Sequence, residues 1–193
     1  MILRTKFGLY FFILASFVFS LNQSSALSTN ESTASFLLYK TIEIGDLEKA
    51  KKLWVGLDIN YQDHLGYTPL YKAVFYNRLD FVEYLFELGA NVNIPDIEGL
   101  SPLHVAALEN LPMMIKVLKT KGANIEAKDD YGYTALHLTA DQGSFNAAQQ
   151  LIYAGANVNS RSEWGGTPLH ASVADKNFDL VRLLMGSGAK LGV

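Results

Sequence analysis

The stretch GYTPLYKAVF, residues 66–75, places a glycine, a threonine and a proline within four positions and then becomes apolar. Three later stretches have nearly the same sequence: GLSPLHVAAL from residue 99, GYTALHLTAD from residue 132 and GGTPLHASVA from residue 165. Each begins 33 residues after the one before, and a Gly-Ala pair recurs at the same interval from residue 89 to residue 188. A fixed period of this length is typical of a stacked repeat array.

Each repeat contains the signals for two short helices. Thr68 can accept a hydrogen bond from the free N–H groups that open a helix, and Pro69 follows at the first helical position, where proline is well tolerated. Apolar residues at steps of three and four then predict a second helix, with a leucine at 85, 118, 151 and 184. We expect helices near 68–76 and 79–87 and at the equivalent positions. Helices this short are marginal alone, so neighbouring units must cover their apolar faces.

The sequence DIEGLSPLHVAA at residues 96–107 and the sequence GANVN at residues 89–93 resemble the repeat of the ankyrin family. The resemblance implies an all-α solenoid of helix–turn–helix–loop units, with four full repeats preceded by a degenerate N-terminal capping repeat. In that cap, a helix is expected over 34–45 and another over 46–54. The predicted domains are a signal peptide at 1–26, the capping repeat at 27–62, and full repeats at 63–95, 96–128, 129–161 and 162–193.

Several positions depart from the repeat pattern, among them Ala135, which replaces the proline of the other repeats. Tyr71 stands where the later repeats have histidine. Lys176 stands at the turn between two helices, where the earlier repeats have asparagine or glycine, which tolerate a left-handed backbone. Asn177 is therefore an alternative residue for that turn in the last repeat.

The N-terminal segment differs in kind from the repeats. Arg4 and Lys6 precede an apolar run over residues 7–21, and small residues follow up to Ala26. This order is typical of a secretory signal, and the run is short for a membrane span. We expect cleavage after Ala26 and a periplasmic or secreted protein. Retention of the segment as a membrane anchor is the alternative.

Composition excludes several classes of function. The chain has no cysteine, which excludes disulfides and thiolate metal sites, and its formal net charge is −3. Nucleic-acid binding needs clustered lysine and arginine, which this acidic chain does not favour. No phosphate-binding loop, nucleophile elbow or metal-binding helix motif occurs in the sequence. We expect no nucleic-acid partner, no small-molecule substrate and no cofactor.

Three histidines could suggest a catalytic or metal site. His104, His137 and His170 are spaced by 33 residues, so the repeat itself accounts for them. In ankyrin-like units this histidine is understood to hydrogen-bond through the Thr or Ser of its motif. Equivalent side chains of successive units lie about 10 Å apart, too far to share a zinc ion, whose bonds to nitrogen are about 2.1 Å long. We expect no catalytic residue and no metal ligand.

The candidate binding residues are those that the repeat pattern leaves free. In ankyrin-like proteins the loop between units forms a hairpin whose tip projects towards the concave binding face. Large apolar side chains at a solvated tip need a reason, since turns favour Gly, Asn, Asp and Ser. The predicted contact residues are aromatic or aliphatic side chains at the tips and at the end of the first inner helix: Leu65, Tyr67, Phe75, Tyr76, Ile97, Leu100, Tyr131, Tyr133 and Trp164.

These observations favour a non-enzymatic, exported module that binds a protein partner through its concave face and hairpin tips. A membrane-tethered scaffold with an uncleaved N-terminal anchor is one alternative. An exported inhibitor or immunity-like protein that masks a toxin or hydrolase is another. The residues Tyr67, Leu100, Tyr131, Tyr133 and Trp164, with Phe75 and Tyr76 beside them, are expected to form one exposed stripe.

Overall fold

A computed structural model describes residues 30–54 and 56–191. The predicted signal peptide, residues 1–26, lies outside the described residues. In the part of the chain that is described, no helix is long and apolar enough to cross a membrane.

The described residues form helices and no strand, which confirms the all-α solenoid. Each unit has an inner helix followed by an outer one, in the order α1 (Asn30–Ile44) and α2 (Leu47–Leu53), α3 (Pro69–Phe75) and α4 (Leu79–Glu87), α5 (Pro102–Leu108) and α6 (Pro112–Thr120), α7 (Ala135–Gln142) and α8 (Phe145–Tyr153), α9 (Pro168–Ala174) and α10 (Phe178–Gly186). The helices expected near 68–76, 79–87 and in the capping repeat are therefore present. α4 has the expected ends, and the ends of the other three shift by one to four residues.

The start of each inner helix is fixed by the residues that the sequence pattern singles out. The Thr68 hydroxyl accepts a hydrogen bond from the backbone N–H of Tyr71 at 3.1 Å, and proline occupies the first turn of α3, α5 and α9. Thr134 makes the same kind of cap at the start of α7, together with His137. These caps satisfy N–H groups that a helix of seven or eight residues leaves without an internal partner.

The turn between inner and outer helices uses a left-handed residue in each full repeat. Asn77, Asn110 and Lys176 have φ values of 52°, 52° and 56°, and Gly143 takes this place in the third repeat with a φ of 67°. The alternative that Asn177 forms the last turn is wrong. Asn177 instead caps α10 by accepting a hydrogen bond from the N–H of Leu180, which leaves Lys176 to adopt the strained conformation.

The core is a continuous layer between the inner and outer helices. Inner helices pack in chain order, α1 on α3, α3 on α5, α5 on α7 and α7 on α9, while α6 packs on α8 and α8 on α10. The leucine that recurs in each outer helix is fully buried at all four positions, as its spacing predicts. Each unit thus buries its apolar face against its neighbours, in the manner of a linear repeat array.

The capping repeat is joined to the first full repeat by polar contacts at two places. The Tyr39 hydroxyl donates to the carbonyl of Tyr67 at 2.7 Å. Arg78 donates from Nη2 to the carbonyl of Glu43 at 2.7 Å and from Nε to the carbonyl of Ile42 at 3.3 Å. These carbonyls lie in the last turn of α1, where that of Ile42 also accepts from the N–H of Gly45 at 3.2 Å, and Arg78 adds a C-terminal cap supplied by the next unit.

A second ladder joins the loops after the outer helices. The side-chain oxygens of Asn60 and Asn93 accept hydrogen bonds from backbone N–H groups 31 residues further on, at 2.8 and 2.9 Å, and Asn159 does the same at 2.8 Å. Glu126 takes the asparagine's place in the third step and also accepts from the Ser160 hydroxyl at 2.7 Å. Every unit boundary from the cap to the last repeat therefore has a side chain that bonds to the backbone of the next unit.

Candidate interaction surface

The hairpin tips, which carry most of the predicted contact residues, are shaped by one aspartate each. Oδ1 of Asp63, Asp96 and Asp129 accepts hydrogen bonds from the backbone N–H groups two and four residues later, at 2.8 to 3.0 Å. Ser162 replaces this aspartate in the last repeat and still donates its N–H to the carbonyl of Gly166 at 2.9 Å. The tip conformation is therefore set locally, before any neighbour is added.

Successive tips are then joined by their backbones. The N–H groups of Ile97, Asp130 and Glu163 donate to carbonyls of the preceding tip, at 3.2, 3.1 and 3.1 Å. The approach is close because each tip holds a glycine. A Cβ atom at Gly99 would lie 2.7 Å from the backbone nitrogen of Asp130, and the equivalent distances at Gly66 and Gly132 are 2.8 and 2.7 Å. The tips form one rigid edge along the stack.

The predicted exposed stripe is wrong at two of its residues. Tyr67 is 8% exposed and Leu100 is 2% exposed. Both follow the tip glycine and point back into the stack, where Tyr67 stacks on Tyr71 with ring centroids 4.5 Å apart. Both side chains therefore pack between units, and little of either lies at the surface.

The remaining predicted residues divide into exposed and half-buried side chains. Ile97 and Trp164 are exposed, at 63% and 67%. The half-buried ones are Leu65, Phe75, Tyr76, Tyr131 and Tyr133. The surface that the sequence placed along all four tips is therefore discontinuous, with its largest exposed side chain at the last tip. Whether any of these residues contacts a partner stays a prediction.

Three rings gather at the last two tips, and we call Tyr131, Tyr133 and Trp164 the tip aromatic cluster. Tyr131 stacks on Trp164 with ring centroids 5.7 Å apart and an interplanar angle of 25°. Tyr133 is tilted by 50° against Trp164 at 5.8 Å, and it also lies 5.6 Å from the ring of His137. Because His137 is buried, the cluster is anchored to the core at one side and open to solvent at Trp164.

The C-terminal ends of the inner helices carry a second column that the sequence argument overlooked. The column is spaced by 33 residues, and three of its five positions are carboxylates: Glu43, Tyr76, Glu109, Gln142 and Asp175. Burial, and then the negative charge of Glu43, raises the pKa of Tyr76, and burial also raises the pKa of Glu109. The 33-residue spacing was the signal that could have shown this column in the sequence.

The motif histidines hold neighbouring units together. Nδ1 of His104 accepts from the N–H of Ser101 at 3.1 Å, which places the ring proton on Nε2, 3.2 Å from the carbonyl of Tyr133 in the next repeat. His137 repeats this arrangement, with Nε2 at 3.2 Å from the carbonyl of Gly166. The predicted bond to the motif hydroxyl is confirmed, because Ser101 Oγ lies 2.8 Å from His104 Nδ1. Burial lowers the pKa of both histidines to about 4.

In the first full repeat a tyrosine, Tyr71, makes the hydrogen bond to the next unit in place of a histidine. The hydroxyl of Tyr71 donates to Oδ2 of Asp96, the hairpin aspartate of the next unit, at 2.9 Å. Burial raises the pKa of Asp96 to about 6, against the lowering effect of the N–H groups of Leu100 and Glu98 and of the Tyr71 hydroxyl. The substitution of tyrosine for histidine thus keeps a polar link between units and changes its acceptor from a carbonyl to a carboxylate.

A buried lysine lies at the joint between cap and first repeat. Lys72 is 8% exposed, and its Nζ lies 4.0 Å from the ring centroid of Tyr67, 5.7 Å from that of Tyr39 and 3.7 Å from Oδ2 of Asp63. Burial lowers the pKa of Lys72, and the charge of Asp63 opposes this. Sequence reasoning passed over Lys72, although equivalent positions hold Val105, Leu138 and Ala171. These contacts lie within the stack, which gives Lys72 a structural role at this joint.

Among the described residues, no group of three or more His, Asp or Glu side chains converges in a way that could hold a metal. The buried titratable groups are each engaged by a backbone group or a partner side chain within the stack. What the surface does present is a rigid edge of tips with an exposed indole.

Comparison with known proteins agrees with this architecture. A family model described as ankyrin repeats (3 copies) matches residues 37–129 and residues 103–193. Together the two matches cover more than half of the chain, and the chain belongs to the ankyrin repeat family. Such repeats form protein–protein interaction modules and are typically non-catalytic. No curated protein matches the chain.

Acidification should weaken the fold through the two buried histidines. Their folded pKa of about 4 lies below the ordinary value of 6.5, so the unfolded chain binds more protons between these pH values. The free energy of unfolding should therefore fall as the pH is lowered from 6.5 towards 4, by up to about 3 kcal/mol for each histidine. Urea unfolding of the wild type and of the double variant His104→Gln/His137→Gln at several pH values measures this.

The change of unfolding free energy with pH must be compared between the wild type and the double variant, because Asp96 acts in the opposite direction to the histidines. Its raised pKa stabilises the fold as the pH falls through about 6, and it does so in both proteins. The wild type should lose more stability than the double variant over this range. Equal slopes in the two proteins would show that the histidines are not held neutral by burial.

Proposed function

We propose that the chain binds a protein partner through its hairpin tips and the adjoining ends of the inner helices, and that it does so without catalysis. The observation that carries this proposal is Trp164, which is 67% exposed and held in place by stacking on Tyr131. A large rigid aromatic side chain fixed at a solvated tip is typical of an interface hot spot. Isolated exposed apolar residues are normal, but this one belongs to an ordered cluster.

The proposed surface is acidic around its aromatic centre. Glu98, Asp130 and Glu163 occupy tip positions, and Glu109 and Asp175 lie at the ends of inner helices. Interfaces commonly have such an aromatic core with a polar rim. A partner with basic character at the matching positions is favoured, because complementary charge speeds encounter and fixes orientation.

The indole should be required for binding and dispensable for folding. Replacing Trp164 by alanine removes an exposed side chain, so the urea midpoint should stay within the error of the wild type while capture of the native partner by the immobilised chain falls at least about tenfold. Capture from the native compartment, quantified by mass spectrometry for the protein most enriched over a bait-free column, measures this together with the unfolding curve.

Tyr153→Ala provides the matched control. Tyr153 is 86% exposed at the end of the outer helix α8, away from the tips, so its replacement should change neither capture nor stability. A Trp164→Ala variant that unfolds earlier and captures normally would mean that the tip cluster is a packing device and that the binding surface lies elsewhere.

We propose further that the chain is exported to the periplasm or secreted. Support comes from the order of basic, apolar and small residues up to Ala26 in the sequence. The protein isolated from its native source should begin at Leu27 and appear in the soluble fraction, because the apolar segment is removed. Intact-mass measurement with N-terminal sequencing tests this, and a chain that starts at Met1 in the membrane fraction would instead support the tethered scaffold.

A further inference from the structure

The indole ring of Trp164 is exposed to solvent at the last hairpin tip. One side of the indole is covered by Tyr131, whose ring is nearly parallel to it at 5.7 Å, and Tyr133 approaches it at an angle. The side chain nevertheless remains 67% exposed. An ordered indole with one face covered and the rest open offers a flat, electron-rich platform to a partner. Such a face attracts cations, and tryptophan does so more strongly than tyrosine or phenylalanine.

Carboxylates stand beside this platform. Cγ of Glu163 lies 3.0 Å from where a Cβ of Gly132 would be, and Gly132 is the residue between Tyr131 and Tyr133. Cγ of Glu163 therefore lies beside the backbone between the two tyrosines of the tip aromatic cluster. Asp130, exposed at the neighbouring tip, adds a second negative charge. None of the twelve tip positions holds a lysine or an arginine: 64, 65, 67, 97, 98, 100, 130, 131, 133, 163, 164 and 166.

The two cations closest in sequence lie outside the tip positions. Lys128 donates from Nζ to the carbonyl of Arg161, three residues before Trp164, at 2.9 Å. Nη1 of Arg161 lies 3.9 Å from where a Cβ of Gly165 would be. The positive charges of both side chains would repel a cation at Trp164, so they weaken the site that the rings and carboxylates create.

We propose that the partner inserts an arginine side chain at this place, with the guanidinium stacked on the open face of Trp164 and hydrogen-bonded to Glu163. This inference rests on the proposed function and specifies the chemistry of the partner segment. Arginine fits better than lysine because its planar guanidinium can lie flat on a ring while its N–H groups reach a carboxylate at the edge. A purely apolar partner residue would make no use of the carboxylates of Glu163 and Asp130.

Nuclear magnetic resonance of the full chain tests the proposal with defined probes. The chain has two tryptophans, and Trp54 is buried, so its indole N–H signal is an internal reference for that of Trp164. The probes are three Gly/Ser peptides of equal length that carry arginine, lysine or the neutral isostere citrulline at the same positions. The arginine peptide should shift the Trp164 signal and leave the Trp54 signal unchanged, with at least about fivefold tighter binding than the citrulline peptide.

Variants of the chain separate the contributions of Glu163, Trp164 and Arg161 to binding of the arginine peptide. Glu163→Gln should weaken binding of the arginine peptide about three- to tenfold, and Trp164→Leu, followed through the backbone signals of the tip, should abolish its preference over citrulline. Arg161→Gln should bind equally or more tightly, since it removes a repelling charge. Tyr153→Leu is the control for loss of an exposed aromatic residue elsewhere and should bind as the wild type does.

Equal shifts with arginine, lysine and citrulline peptides, or no shift at Trp164 with any of them, would overturn the proposal. Equal binding of arginine and lysine peptides would overturn the guanidinium stacking in particular. If none of these peptides binds at Trp164 but Trp164→Ala still loses capture of the native partner, the proposed interaction surface is supported and the proposed arginine contact is wrong. If native capture is also insensitive to Trp164, the proposed function fails as well.

Discussion

The close approach of neighbouring hairpin tips is the constraint on which the rest of the stack depends. At Gly66, Gly99 and Gly132 the backbone of the next unit lies where a Cβ atom would be, at 2.7 to 2.8 Å. This contact lets each tip accept a backbone hydrogen bond from the following one. It also fixes the translation between units. With that translation fixed, the links from Tyr71, His104 and His137 to the next repeat fall into hydrogen-bonding range. The ladder of asparagine and glutamate side chains does the same in the loops after the outer helices.

The surface follows from the same constraint. Because successive tips are joined by their backbones, side chains that point outward form columns whose spacing is set by the stack. Tyr131 and Trp164 are neighbours in one such column, and this is why their rings can stack. Rigidity matters for binding, since side chains that are already ordered lose less conformational entropy on association. A repeat architecture thus presents fixed aromatic and acidic groups without needing a deep cleft.

Much of this could be predicted from the sequence because the repeat period determines the fold. The helices, their caps, the buried leucine column and the histidine bonds all follow from residues at fixed offsets. The exposure of tip residues could not be predicted in the same way. Tyr67 and Leu100 occupy variable positions, yet the chain turns back into the stack immediately after the glycine and buries them. The repeat motif shows which positions can vary in sequence. Which of these positions face solvent depends on the path of the backbone.

The buried Lys72 shows a different limit of prediction from the sequence. A lysine at a position that is otherwise apolar reads as a surface residue, but two tyrosines and Asp63 surround its ammonium group. Tyr39 from α1, and Asp63 and Tyr67 from one hairpin tip, make this burial tolerable. No local pattern reveals that Tyr39 and this tip meet. The turn at Lys176 is a related case, because the geometry that the stack imposes outweighs the local preference for asparagine or glycine.

The most direct test of the central claim compares two glycines that have the same backbone conformation and different surroundings. Gly99 and Gly89 have φ values of 80° and 86°, but a Cβ at Gly99 would meet the backbone of Asp130 at 2.7 Å, whereas one at Gly89 would have nothing within 4 Å. Both alanine variants carry the strain of a left-handed residue, about 1–2 kcal/mol. Urea unfolding should show Gly99→Ala to be less stable than Gly89→Ala by a further 1 kcal/mol or more, on the order of an overpacked contact. Equal losses in the two variants would contradict the claim that the close approach of the tips holds the stack in register.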